Sequence, residues 1–96
     1  MIIVTGSVTA RPETFEALLR ASLDHVHRSR TEDGCLVHSV YRDCENPLRL
    51  FFYEQWRDLA ALQRHGKVAG SLAFLGEIRD FAASSERITI HETIAD

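Results

Sequence analysis

Two β-like runs sit almost back to back in the middle of this chain, and they limit its topology more than any other feature. Cys35–Cys44 and Leu48–Trp56 are separated only by Glu45-Asn46-Pro47. Three residues of turn chemistry can close an antiparallel hairpin but cannot carry a parallel crossover. The second run is nearly continuous in Leu, Phe and Tyr, the pattern expected of a strand covered on both faces. It leads directly to Asp58, which can cap a short helix ending at His65.

The flanks supply the partners. Ile2–Ala10 is rich in β-branched residues and reads as a strand. Pro12 and Glu13 mark a helix start. Phe15, Leu18, Leu19, Ser22, Leu23 and Val26 then recur at helical spacing, and Arg28 and Arg30 suit the helix end. Gly34 lets the chain turn into the hairpin. Gly66 and Gly70 bracket a bend, after which Ser71 is the expected cap of a helix carrying Leu72, Leu75, Ile78 and Phe81. Arg87–Ile94 alternates, with Ile88, Ile90 and Ile94 on one face, and predicts a half-buried strand. The order is strand, helix, strand, strand, helix in two pieces, strand. It predicts one α+β domain over residues 1–96: a ferredoxin-like β-α-β-β-α-β unit, a four-stranded antiparallel sheet with helices on one face. The other face still carries apolar side chains. Covering it with a second copy predicts a homodimer through the sheet.

Composition narrows the function classes. Net charge is −3, the only lysine is Lys67, and the ten arginines are scattered. Neither a nucleic-acid footprint nor a polybasic membrane patch is expected. No apolar run approaches the roughly 18–20 residues of a membrane span. The opening Met-Ile-Ile-Val lacks a basic region and is expected to be a strand rather than a signal peptide. Cys35 and Cys44, nine apart on one expected strand, point to opposite faces, so free thiols and a cytoplasmic location are expected. There is no H-x-x-x-H, C-x-x-C, G-x-G-x-x-G, P-loop or nucleophile elbow. The expectation is a protein with neither metal nor cofactor.

Glu32-Asp33-Gly34-Cys35-Leu36, then Phe52-Tyr53-Glu54-Gln55-Trp56, then Leu62 and His65 at nine residues from Trp56, resemble the antibiotic biosynthesis monooxygenase superfamily. The resemblance covers nearly the whole chain. It implies a dimeric α+β barrel with a pocket between helices and sheet. In several relatives such a pocket oxygenates aromatic polyketides or quinols without flavin, metal or haem. The matching positions are Glu54, Trp56 and His65. Many members carry a second histidine about five residues after this one, where this chain has Gly70. The pattern of haem-degrading relatives is missing: Ile2–Ala10 has no asparagine, and Leu75 stands where a histidine ligand would be.

On this reading the substrate is a small aromatic or quinol-type molecule that gives electrons to O2 once it is an anion. The protein must supply a base that works near neutrality, which histidine does as a residue type. His65 is the candidate base, with a water-facing helix-end histidine as the plain alternative. Glu54 is a candidate acid or base, or one half of a structural ion pair. Trp56 and Phe52 are candidate stacking walls, although a core role suits a lone tryptophan equally. His38 and Tyr53 would line the pocket if their faces point at the helices, which depends on the hairpin register. His25 and His27, roughly 200° apart on a helix, cannot share a metal ion and are expected to be solvated. Two other functions fit the same fold: an isomerase or lyase of small metabolites, and a non-catalytic ligand-binding dimer.

Overall fold

The computed structural model describes residues 1–94. Strand β1 (Ile2–Ala10) is followed by one 3-10 turn at Pro12–Thr14 and helix α1 (Phe15–Ser29). The hairpin β2 (Cys35–Arg42) and β3 (Arg49–Trp56) comes next, then helices α2 (Leu59–Lys67) and α3 (Ala69–Phe81), and two short strands, β4 (Ala82–Ser85) and β5 (Thr89–Glu92). The sheet order is β2-β3-β1-β4, with β5 also pairing β1, and every pairing is antiparallel. The expected α+β ferredoxin-like architecture is therefore present. Among the described residues, no helix is long and apolar enough to cross a membrane.

The hairpin closes where turn chemistry placed it. Asp43 Oδ1 accepts from the Glu45 N–H at 2.8 Å and Asn46 Oδ1 from the Leu48 N–H at 3.1 Å, so side chains organise the turn. Asp58 caps α2 as expected, accepting from the Ala61 N–H at 2.9 Å. Gly34, at φ 87°, is the only described residue where the chain needs a left-handed conformation. A Cβ there would also lie 2.4 Å from that of Ala61, so the turn into β2 needs glycine for both conformation and space.

Three expectations change. The final strand is one edge broken in two: β4 pairs Val8–Ala10 and β5 pairs Ile2–Thr5. The break lies at Gly6, where a Cβ would stand 3.1 Å from Ile88 Cγ2, so Ile88 occupies the space a side chain would fill. The edge is also not half-buried, since Ile88 and Ile90 are 58% and 49% exposed. Second, α3 starts at Ala69 with Val68 as its cap residue; Ser71 instead turns its side chain inward. Third, β3 is not covered on both faces. Leu50, Phe52 and Trp56 are buried under the helices, while Phe51 and Tyr53 on the other face are only half-buried.

The core lies between this face and the helices. Its larger part joins Val8, Phe15, Leu18, Leu50, Phe52 and Phe74. Leu18 and Leu50 are essentially inaccessible, and burying each contributes about 1.5–3 kcal/mol. A smaller cluster of Ile2, Val4, Trp56 and Ala61 lies at the other end of the strands.

Candidate functional site

The space between the two clusters is polar, and four elements, α1, β2, β3 and α2, converge on it. On α1 the buried residues Leu18, Ser22, His25 and Ser29 follow helical spacing. His25 therefore points inward, 6% exposed, while His27 stays in water. The expectation that both are solvated holds only for His27. The missed signal is that His25 lies seven residues after Leu18 and three after Ser22, on the stripe already recognised. His38 faces the same interior from β2. Its strand partner is Glu54, and Trp56 follows two residues later on the same face. His65 enters from the last turn of α2.

The register also decides the two hairpin candidates. His38 points at the helices and is 1% exposed. Tyr53 pairs Ser39 on the opposite face, and its hydroxyl accepts from Gln55 Nε2 at 2.7 Å. Tyr53 is thus removed from the pocket, because alternate residues of a strand face opposite ways.

The three imidazole centroids form a nearly equilateral triangle, with 5.2 Å between His25 and His38, 5.2 Å between His25 and His65, and 5.4 Å between His38 and His65. The Trp56 ring lies 4.6 Å from that of His65. His65 Nδ1 is 2.9 Å from Glu32 Oε1, with Ser71 Oγ at 3.5 Å. A carboxylate on Nδ1 holds the proton there and leaves Nε2 as the free base. Trp56 Nε1 donates to Glu54 Oε1 at 2.8 Å. The same oxygen is 3.4 Å from His38 Nε2, near but outside hydrogen-bond geometry. Both nitrogens of His38 are therefore unpartnered among the described residues, as are Glu32 Oε2 and Arg28 Nε. Arg28 donates to His25 Nδ1. Since arginine can only donate, the neutral His25 carries its proton on Nε2.

Burial sets the charge states. It pushes His25 and His38 down to about 3, with smaller contributions from neighbouring imidazoles and arginines, so both are neutral at pH 7. Burial raises the Glu54 carboxyl, against the Trp56 hydrogen bond that favours its ionised form.

A cavity of about 420 Å³ opens beside this cluster, within the range of small-molecule sites. Val4, Val8 and Phe52 form its floor, and Leu62, Phe74, Leu75 and Ile78 its helical wall; Ile88 and Ile90 close the third side. His25, Glu54, His65 and Ser71 present polar groups on the side of the cluster, and Ser7, Ser85 and Glu86 add others elsewhere in the lining. Of the expected residues, His65, Glu54 and Phe52 reach the cavity, while Trp56 and His38 do not. Trp56 is fully buried behind His65 and acts on Glu54 instead of forming a stacking wall. Three residues not singled out for the site join it: His25, Glu32 and Ser71. Glu32 lies in the loop after α1, and no local spacing ties it to His65, 33 residues away.

Comparison with known proteins agrees with this architecture. The family model described as antibiotic biosynthesis monooxygenase matches residues 1–76. A candidate antibiotic biosynthesis monooxygenase of Deinococcus radiodurans superposes with a TM-score of 0.94 at 25% identity, over 100% of this chain and 95% of that one. A protein of Pseudomonas aeruginosa is similar at 31% identity and a TM-score of 0.87, over 98% and 94% of the two chains. An uncharacterized protein of Synechocystis is 30% identical over 95% of this chain. The chain spans 62% of the length of that relative.

Proposed function

The chain belongs to the antibiotic biosynthesis monooxygenase family, and from that premise we propose that it is a cofactor-independent monooxygenase acting on a small aromatic or quinol-type substrate. The observation that carries the reading is the Glu32–His65 pair at the wall of an apolar cavity, where Nδ1 is held by a carboxylate and Nε2 is left free to take a proton. Phe52 and Phe74, with ring centroids 5.8 Å apart, supply flat apolar surface for a ring. Glu54, held by the Trp56 indole, is a further titratable group at the cavity and orients or reprotonates the substrate.

In the reaction, His65 Nε2 removes a phenolic or enolic proton. The resulting anion, kept out of water, reduces O2 and then combines with it. Collapse of the peroxide places one oxygen atom in the product as a carbonyl, and the other leaves as water with the two hydrogens lost from substrate. Removing a positioned base costs about 10²–10⁴-fold in rate. Oxygen uptake by metal-free protein with hydroquinones, naphthols and anthrones, corrected for autoxidation, is therefore expected to fall at least about 100-fold in His65→Ala. Full turnover by His65→Ala, or no uptake with any of the panel, would overturn the reading.

A second reading rests on one observation: His65 and Glu54 touch the same cavity and offer it an acid and a base. An isomerase or lyase using that pair would turn over equally well under argon. In either case we place the active form as a cytoplasmic homodimer. Two free thiols suit that compartment. Leu36 and Tyr41, each 55% exposed on β2, leave the outer sheet open to a second copy. Sedimentation equilibrium showing only monomer at micromolar concentration would remove the dimer.

A further inference from the structure

We propose that His25, His38 and His65 form a binding site for one divalent first-row transition-metal ion, and that the bound ion silences His65 as a base. The first argument is spacing. Three imidazoles on a tetrahedral ion with metal–nitrogen bonds of about 2.0–2.1 Å bring their ring centroids to about 5.2 Å from one another. The observed separations are 5.2, 5.2 and 5.4 Å. The candidate donor nitrogens already lie within 4.8 Å of one another, so ring rotation rather than backbone movement closes the set.

The second argument is independent. His38 is 1% exposed and neither ring nitrogen has a hydrogen-bond partner. A buried imidazole with no partner is rare in folded proteins, and a bound ion supplies the missing partner. The third argument is the outer shell. Glu32 holds Nδ1 of His65, the carboxylate–histidine arrangement that orients a metal-binding imidazole and leaves Nε2 to the ion. Glu54 Oε1, 3.4 Å from His38 Nε2, offers a fourth donor and further negative charge. All-imidazole donors select zinc, copper, nickel, cobalt or iron over magnesium or calcium.

One residue opposes the ion. Arg28 donates to His25 Nδ1, so the His25 proton sits on Nε2, the nitrogen left for coordination. Binding moves that proton to Nδ1 and displaces the guanidinium. Arg28 has its place because residue 70 is glycine; a Cβ there would lie 2.3–2.5 Å from the guanidinium. Arg28 and Gly70 together form a latch on the site. Because His65 has one Nε2 lone pair, base and ligand roles exclude each other. That part alone rests on the proposed function; the binding site does not.

The test uses the tag-free full-length chain, stripped of metal, titrated with Co²⁺ and followed by visible absorption. The expected result is saturation at one equivalent with intense bands of a four- or five-coordinate ion, displaced by Zn²⁺ and lost in His38→Gln. Arg28→Ala and Gly70→Ala each release the latch, and are expected to tighten binding about 10-fold or more, the scale of outer-shell changes. A purely structural role for either residue predicts no such gain. Imidazole ¹⁵N spectra of the unaltered chain give a reading that needs no variant: Zn²⁺ should shift His25, His38 and His65 and leave His27 and His91 unmoved. No saturable band in either the unaltered chain or Arg28→Ala, bands that persist in His38→Gln, or shifts confined to His27 or His91 would overturn the site. If the site is real, Zn²⁺ at one equivalent also stops oxygen uptake. Should no substrate be oxidised at all, the titration and spectra still decide the metal proposal.

Discussion

Along β3, Leu50 and Phe52 give way to Glu54 and Trp56 on the same face; along α1, Phe15 and Leu18 give way to His25 and Ser29. The two halves of one interior are thus built on the same strands and helix, yet they obey different rules. The apolar half is stabilised by area removed from water, and many residues of similar shape could serve there. In the polar half, His38 apart, each group depends on a named partner: Trp56 on Glu54, Glu32 on His65, Arg28 on His25. There a lost partner leaves a buried charge or dipole unpaired, which costs more than the bond itself contributes. The comparison teaches that apolar packing on both sides secures the backbone, so the polar groups between can stay unsatisfied and still be held in place.

Among single substitutions the largest effect should come from the apolar half. Leu18→Ala removes a fully buried side chain and should destabilise the fold by about 2–5 kcal/mol. Urea denaturation measures that loss. The fraction still folded should keep its Co²⁺ affinity; a fall in affinity would show that the two halves are not separable.

Acid should act through the polar half. His25 and His38 have folded values near 3 against an ordinary 6.5. Above pH 6.5 both are neutral in either state and their burial is uncompromised. As pH falls from about 6.5 toward 3, the unfolded chain takes up protons that the folded chain refuses. Each histidine should then cost about 1.4 kcal/mol per pH unit. Glu54 works the other way: its raised folded value favours protonation in the folded state, which offsets part of the loss. Unfolding free energies at pH 7.5, 5.5 and 4.5 should decline, and His38→Gln should flatten the slope by roughly half. An unchanged slope in that variant would show that His38 takes up a proton without unfolding.

The smallest stability change tests the polar half most specifically. Glu32→Gln keeps a hydrogen-bonding group beside His65, so stability should fall by no more than about 1 kcal/mol. Oxygen uptake should fall about 10–100-fold, the scale of losing a carboxylate that orients a working histidine. Equal rates in the two proteins would reduce Glu32 to packing.

Much of this architecture is legible before any coordinates. Strand periodicity, the Glu45-Asn46-Pro47 turn, Pro12, Asp58 and Gly34 are local signals, and local signals carry element order. Together they determined an antiparallel sheet with its helices on one face; it was the family resemblance that pointed to Glu54 and His65, which line the cavity. Register and convergence are not local. Only pairing with β3 decided that His38 faces inward and Tyr53 outward. Only the packing of α1 and α2 on the sheet brought His25, His38 and His65, spread over 41 residues of chain, into one cluster. No short ligand spacing could reveal that set, because each histidine comes from a different element. Trp56 also lost its expected place at the cavity wall, because depth beneath a helix is a property of packing. The chain's own pattern determined which surfaces would be buried; the tertiary structure decided which polar groups met there.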